Sequence, residues 1–122
     1  ASPVARRLAA IREAHAGGFR TSVMFGPLLP FFSDTEAALE ALFQCAADYG
    51  IDQIWVDALN PRSNVWASVS DLLRNEAPEL VERYQRLLFW PKVREAYLAS
   101  LRRRVECAAR RHGVGDRVSG CV

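Results

Sequence analysis

Apolar residues recur at helical spacing near the start of the chain. Val4, Leu8, Ile11 and His15 follow one another at intervals of four, three and four residues. This spacing places them on one face of an α-helix. Gly17-Gly18 follows the stripe, and glycine readily takes the left-handed conformation that ends a helix. The pattern therefore predicts an amphipathic helix that closes at these glycines.

Two short apolar runs, residues 21–25 and 51–56, predict β-strands that each follow a glycine-terminated helix. Ser33 and Glu36 stand at the spacing of a capping box and predict the start of the intervening helix, which Gly50 ends. The order helix, glycine, strand and proline loop thus occurs twice, about 30 residues apart, as in βα units. Both strands are largely apolar on both faces, which is typical of a parallel sheet covered by helices.

The rest of the chain predicts helices. A short one covers about residues 69–75, another begins at Pro78, and a long one runs over about 92–112 after a break at Trp90-Pro91. Residues 113–122 are rich in glycine and predict a flexible tail. We therefore divide the chain into βα units over 1–66, a helical extension over 67–112 and the tail over 113–122.

Composition narrows the class of protein. The 122 residues, half of them hydrophobic, suffice for one domain or part of one. A net charge of +2 gives no general attraction to nucleic acid. The longest apolar stretch, residues 23–32, is too short and too rich in proline to cross a bilayer, so we expect a soluble cytoplasmic protein without a membrane partner.

The three cysteines, Cys45, Cys107 and Cys121, are widely spaced and form no metal-binding motif. Cys45 and Cys107 fall within helical patterns beside alanines, which predicts small buried thiols. Cys121 lies in the predicted tail, where it can be a free thiol. We predict no metal ligand and no catalytic residue in this chain.

The first candidate site is the loop after the first strand. Gly26 permits close approach of a ligand, while Pro27 and Pro30 stiffen the backbone around two leucines. One interpretation is that this loop forms a rigid apolar surface for a planar ring such as adenine. The other is a proline-stiffened turn from strand to helix.

The second candidate site is the loop after the second strand. Asp57, Asn60 and Arg62 cluster where α/β folds place ligand-binding groups. Arg62 can hold a carboxylate or phosphate, and Asp57 or Asn60 a hydroxyl or amine. The alternative is an Asx turn with an internal Asp–Arg pair.

Charged and aromatic residues elsewhere predict mainly structural roles. The arginine run 102–104 stands near a helix end, where cations are favoured, so contact with nucleic acid is the minor alternative to a solvated surface. His15 and His112 lack partners at catalytic spacing. The three tryptophans are expected in the core or in a lid.

Several of these segments resemble the C-terminal half of radical S-adenosylmethionine proteins, in particular the spore-photoproduct-lyase-like subgroup. The resembling residues are 7–11, the helix end 16–19, the loop Val23-Met24-Phe25-Gly26-Pro27-Leu28-Leu29-Pro30, Ser33-Asp34, and the stretch 54–62. They span about half of the chain. The family's Cys-x3-Cys-x2-Cys triplet is absent. The family's loop usually continues with glycine before a polar residue, and this chain has Phe31-Phe32 there.

The resemblance implies an α/β fragment of a partial (β/α)6 barrel, contributing two parallel strands and followed by helices. In the parent enzyme a [4Fe–4S] cluster would cleave S-adenosylmethionine to a 5′-deoxyadenosyl radical. Gly26, Pro27 and Pro30 would line the adenine or ribose side, and Asp57, Asn60 and Arg62 would lie toward S-adenosylmethionine or substrate. The fragment alone would be inactive and would bind neither cofactor.

Two readings of a different kind remain open. In the first, the chain pairs with a missing N-terminal half of the barrel and, when isolated, self-associates through its exposed sheet edge. In the second, it is a complete small α/β protein-interaction module without catalysis. The first predicts about four more βα units upstream in the coding sequence, and the second predicts stable monomeric behaviour.

Overall fold

The computed structural model describes residues 3–121. Residues 1 and 2 of the predicted βα region and residue 122 of the predicted tail lie outside the described residues. Helices and strands alternate at first, and a helical region then leads to a last strand. In chain order the elements are α1 (Val4–Ala16), β1 (Ser22–Leu28), α2 (Glu36–Asp48), β2 (Gln53–Ala58), α3 (Ser63–Glu76), a 3-10 turn (Pro78–Leu80), α4 (Val81–Phe89), α5 (Pro91–Arg111), a second 3-10 turn (Gly115–Arg117) and β3 (Val118–Cys121).

The helix–glycine–strand unit occurs three times. Helices α1, α2 and α5 are each followed by a glycine with positive φ, at Gly18 (83°), Gly50 (66°) and Gly113 (72°). The residues after these glycines, Phe19, Ile51 and Val114, each donate a backbone hydrogen bond of 2.9–3.1 Å to the carbonyl five positions earlier. This is the Schellman arrangement, in which glycine avoids the steric cost of the left-handed region.

The third unit corrects the expectation of a flexible tail over 113–122. Residues 118–121 form β3, which pairs parallel to β2 with Ile54 opposite Val118 and Trp55 opposite Gly120. β1 pairs parallel to the other side of β2, with Phe25 opposite Val56. The three strands therefore lie in the order β1-β2-β3. The fold is α/β with a parallel sheet, as predicted, but it has one strand more than expected.

Helices cover one face of the sheet. Ile54 and Val56 of β2 are buried in a core with Leu39 and Phe43 of α2 and with Leu101 of α5. Phe43 also packs edge-to-face against Phe25 of β1, with ring centroids 5.9 Å apart. The opposite face is largely open, since Met24 of β1 and Trp55 and Asp57 of β2 are exposed. The prediction that both faces are covered is therefore wrong.

A second apolar cluster lies past the ends of β1 and β2. Leu59, just after β2, packs there with Leu73 of α3 and with Tyr84 and Leu88 of α4. Helix α3 is longer than the predicted helix over 69–75, and Pro78 begins a 3-10 turn that leads into α4. Among residues 3–121, no helix is both long and apolar enough to cross a membrane.

Helix α2 begins differently from the predicted capping box. Its N-cap is Thr35, whose hydroxyl accepts a hydrogen bond of 3.2 Å from the Ala38 amide. Ser33 instead accepts a hydrogen bond of 2.6 Å from the Leu29 amide. Ser33 therefore belongs to the preceding loop and does not cap α2. Glu36 is the first residue of α2, so it is not the distal member of a capping box.

Candidate ligand-binding face of the sheet

The uncovered face of the sheet carries a flat apolar ledge. Met24 and Trp55 are paired across β1 and β2, and they are 63% and 41% exposed. On the next strand Gly120 lies under the indole, since a Cβ built there would come within 2.5 Å of Trp55 Cε3. The absence of a side chain at Gly120 thus lets the Trp55 ring lie close to the sheet.

The two predicted site loops meet at the carboxyl end of this ledge. A Cβ built on Gly26 would lie 2.8 Å from Asp57 Cβ and 3.0 Å from the Asp57 carbonyl oxygen. We predicted that Gly26 admits a ligand, but the close approach it permits here is that of Asp57. The register between β1 and β2 shifts between Phe25 and Leu28, where the strands accommodate this approach.

Asp57 and Arg62 present charged groups with no partner among the described residues. Both are exposed, and no hydrogen bond or ion pair of either side chain is found within residues 3–121. Asn60 Oδ1 accepts a hydrogen bond of 3.0 Å from the Arg62 amide, so the Asx turn of the alternative interpretation is present. The internal Asp57–Arg62 pair of that interpretation is not formed in this part of the chain.

The proline loop exposes one predicted residue and buries another. Pro27 is exposed at the end of β1, after a cis Gly26–Pro27 peptide bond. Pro30 is fully buried, and its carbonyl accepts a hydrogen bond from the Tyr84 hydroxyl. Pro30 therefore offers no side-chain surface to a ligand in this structure, and it contributes to the shape of the loop.

Phe31 has a φ of 70°, the left-handed region that glycine favours. A glycine, which usually continues this loop in the family that the sequence resembles, would adopt this conformation without strain. The Phe32 amide donates a hydrogen bond of 3.1 Å to the Leu29 carbonyl and closes a turn around Pro30 and Phe31. The guanidinium carbon of Arg83 lies 4.2 Å from the centre of the Phe31 ring, which offsets part of the strain.

Asp34 ties this loop to α5. Its buried carboxylate accepts hydrogen bonds from the Phe31 amide at 2.8 Å and from the Tyr97 hydroxyl at 2.6 Å. Arg104 lies 3.7 Å from the same carboxylate and donates to the Asp34 carbonyl. Burial, and then the bond to Asp34, raises the pKa of Tyr97 far above its usual value. Tyr97 therefore stays a neutral hydrogen-bond donor.

No protein-family model, curated protein or solved structure matches this chain. Its function is therefore inferred from the arrangement of its own residues. Met24 and Trp55 form an apolar surface that suits a planar ring, with the free carboxylate of Asp57 at its end. The Asp57 carboxylate can bind a hydroxyl or an amine, and the Arg62 guanidinium can bind an anion. The described residues contain no group of three or more His, Cys, Asp or Glu side chains that could hold a metal.

Much of the charge on α5 has partners within the protein. Arg104 contacts Asp34, Arg111 pairs with Glu40, and Arg102 also has a partner. His112 bonds to Glu40 as well, which agrees with the structural role expected for it. The Glu40 contacts hold α5 against α2, and Arg104 holds α5 to the loop before α2. Together these contacts reduce the number of cations available to a phosphate.

The cysteines correct a further expectation. Cys107 is exposed, and Cys45 is only partly buried, although both were predicted to be buried thiols. Burial raises the pKa of Cys45, and the nearby Asp48 carboxylate raises it further. The side chain of Cys121 lies outside the described part. Neither Cys45 nor Cys107 lies on the open sheet face formed by Met24 and Trp55.

Met24 and Trp55 are the members of the site that the sequence analysis missed. Their sequence signal is the alternation of β2, in which Ile54 and Val56 are buried and Trp55 between them is exposed. Because Trp55 is itself apolar, the sequence of β2 predicts burial on both faces. Asp57, at the next outward position, was the polar sign that this face is open.

Proposed function

We propose that this chain forms the C-terminal wall of a radical S-adenosylmethionine enzyme, whose ligand pocket would lie over the open face of the sheet. The observation that carries the proposal is the close contact of Gly26 with Asp57 beside the exposed Met24–Trp55 ledge. It brings together the two loops in which the sequence resembles that family. In parallel α/β folds, ligands bind at this carboxyl end of the strands.

The strand order supports a partial barrel. Strands β1, β2 and β3 are adjacent in chain order and parallel, and the core helices α2 and α5 lie on one face. A barrel wall has this arrangement, with helices outside and the other face turned toward the lumen. In a barrel, Met24, Trp55 and Asp57 would face the interior.

The exposure of Phe19 beside β1 supports the presence of a further strand–helix unit at that edge of the sheet. Phe19, Ile51 and Val114 occupy equivalent positions after the three helix-ending glycines, and their exposures are 70%, 0% and 1%. The unit that contains β1 therefore exposes a large apolar side chain at a position where the other two units bury theirs. A preceding strand–helix unit would cover Phe19 and pair with the free edge of β1. An isolated chain is expected to self-associate there, and a clean monomer in light scattering at high concentration would count against it.

The donor groups fit S-adenosylmethionine better than they fit a cluster. Asp57 would hold ribose hydroxyls or the ligand's amine, Arg62 would hold its carboxylate, and Met24 with Trp55 would contact apolar surface. When bound, S-adenosylmethionine supplies the 5′-deoxyadenosyl radical to such enzymes. This chain lacks the family's cysteine triplet, so we assign the [4Fe–4S] cluster to a preceding part of the parent enzyme. A cytoplasmic location follows from the reducing conditions that a cluster and free thiols need.

Two experiments test the proposal. The first is to sequence about 200 codons upstream of Ala1 and to look for Cys-x3-Cys-x2-Cys after a predicted strand, about four βα units away. Finding it supports the proposal, whereas a start codon close to Ala1 would refute it. An upstream reading frame without the triplet would also refute it.

The second experiment uses the complete parent protein after anaerobic cluster reconstitution. Reduction with dithionite should release 5′-deoxyadenosine from S-adenosylmethionine. Asp57→Ala should raise the S-adenosylmethionine concentration needed for half-maximal release by about tenfold, the cost of one charge-assisted hydrogen bond. Asp71→Ala, on α3 and far along the chain from the ledge, serves as the control and should leave that concentration unchanged.

A further inference from the structure

An apolar pocket opens between the proline loop and α3, away from the Met24–Trp55 ledge. Its volume is about 330 Å³, and its wall exposes only apolar atoms. The lining residues are Leu29, Phe32, Val69, Leu72, Leu73 and Tyr84, with Glu76 beside them. Leu73 and Tyr84 belong to the buried cluster of α3 and α4, so the pocket is an opening into that second core.

The rim of this pocket is unusually apolar for a protein surface. Phe32 is 50% exposed and Leu72 is 52% exposed, although both are large hydrophobic side chains. A contiguous apolar patch of this kind commonly marks an interaction site. An opening lined by core residues and bordered by apolar rings suits a single inserted side chain of a partner.

The loop is held so that Phe32 stays at the rim. The left-handed φ of Phe31 is sterically unfavourable for a residue with a Cβ. Asp34 bonds to the Phe31 amide, and Ser33 bonds to the Leu29 amide at 2.6 Å. Strained residues that the surrounding structure fixes in this way occur preferentially at functional sites.

Glu76 gives the pocket a charge preference. The other acidic residues of α3 and α4 have cations nearby, since Asp71 pairs with Arg74 at 3.1 Å and Glu82 with Arg86 at 2.5 Å. Glu76 is exposed, and it has no such partner within residues 3–121. A carboxylate next to an apolar opening favours a ligand with a cation next to an apolar group.

We propose that this pocket binds a basic amphipathic peptide helix, with one large apolar side chain inserted between Phe32 and Leu72 and a lysine or arginine paired with Glu76. The two exposed rim side chains extend the apolar area beyond the pocket, as in grooves that receive helices. The site uses no residue of the proposed S-adenosylmethionine face. It therefore stands whether or not the chain belongs to a radical enzyme.

Fluorescence anisotropy with two labelled 18-residue probe peptides tests this proposal. One is an amphipathic helix of leucine and lysine, and the other replaces each lysine with glutamate. The protein is the chain itself, with the variants Leu72→Asp, Glu76→Lys and, as a matched control, Val4→Asp on α1. Leu72 and Val4 are both exposed helical residues, 52% and 60%, so both aspartates fall on surfaces that tolerate substitution. Circular dichroism of each variant verifies folding.

The expected result is binding of the leucine–lysine peptide by the wild type and by Val4→Asp with equal affinity. Leu72→Asp should weaken that binding at least tenfold, and Glu76→Lys should reverse the preference toward the leucine–glutamate peptide. Failure of the basic peptide to bind, or equal binding by Leu72→Asp and wild type, would overturn the proposal. So would an unchanged peptide preference in Glu76→Lys. Concentration-dependent self-association that Leu72→Asp abolishes would instead assign the pocket to a second copy of this chain.

Discussion

Gly26 and Asp57 lie side by side on adjacent strands so closely that no Cβ fits between them. A Cβ on Gly26 would stand 2.8 Å from Asp57 Cβ and 3.2 Å from the Asp57 amide nitrogen. Ordinary carbon contacts need about 3.5 Å or more. The glycine therefore sets the position of the Asp57 carboxylate relative to β1.

Gly26→Ala should displace the two strands at this end of the sheet. We expect a loss of about 1–3 kcal/mol in the free energy of unfolding, the usual cost of forcing a group into a packed site. Urea denaturation monitored by circular dichroism measures it. Gly115→Ala is the control, because a Cβ there meets its nearest neighbour at an ordinary 3.7 Å, and it should change stability little.

A double variant separates this contact from a general glycine effect. In Gly26→Ala with Asp57→Gly, the Cβ of residue 57 is gone, while its backbone oxygen remains 3.0 Å away. Gly26→Ala should therefore lower the free energy of unfolding less in the Asp57→Gly background than in the wild type. If Gly26→Ala costs as much in that background as in the wild type, the Asp57 side chain is not the obstacle.

The third strand shows why the sequence predicted only part of the sheet. Gly50 and Gly113 end their helices in the same way, but Gly50 precedes the apolar run 51–56. After Gly113 come a second glycine and two charges before Val118, so the local pattern indicates a tail. Residues 118–121 become a strand because the free edge of β2 provides hydrogen-bonding partners. That edge lies some 60 residues away in sequence and gives no local signal.

The candidate site was predictable in its loops and not in its ledge. Proline, glycine and Asx-turn residues mark where strands end, so Gly26, Asp57 and Asn60 could be found from local chemistry. Whether Trp55 is buried depends on what packs against that face, and the apolar run Ile54-Trp55-Val56 does not reveal it. Asp34 illustrates the same limit, since nothing in the local sequence indicates that its carboxylate is buried against Tyr97 and Arg104 of α5.

At position 31, glycine should be a more stable replacement than alanine, which is the reverse of the order expected in a helix. Both Phe31→Gly and Phe31→Ala lose the ring contacts with Arg83 and Tyr84. Only alanine keeps the steric cost of the 70° φ, so Phe31→Gly should be more stable than Phe31→Ala by about 1 kcal/mol in urea denaturation.

The control for Phe31 is Phe89, which is the last residue of α4 and is 43% exposed. Helical backbone favours alanine, so Phe89→Ala should be the more stable of that pair by up to about 1 kcal/mol. The same order at both positions would show that the left-handed backbone of Phe31 is not strained.

Removal of the Tyr97 hydroxyl should weaken the attachment of the proline loop to α5. In Tyr97→Phe the buried Asp34 carboxylate loses a donor at 2.6 Å, which should cost about 1–3 kcal/mol. Tyr49→Phe keeps the ring that stacks with Arg12 and should leave the free energy of unfolding within about 0.5 kcal/mol of the wild type. Equal effects of the two substitutions would mean that the Asp34 contact contributes no more than a surface hydroxyl.

Glu40 should make part of the stability depend on pH. Hydrogen bonds from His112, and then from Arg111, hold its pKa below the usual 4.5. A carboxylate whose pKa is lower in the folded state stabilises the fold above its unfolded pKa, and it loses that contribution as the pH falls through the folded value. The stability advantage of the wild type over Glu40→Gln should therefore be present in neutral solution and shrink as the pH falls below about 5. Glu79→Gln, which removes a carboxylate without an ion pair in the described part of the chain, is the control for the loss of a surface charge. A Glu40→Gln difference that does not change between neutral and acidic solution would show that the α2–α5 contact gains nothing from the charge of Glu40.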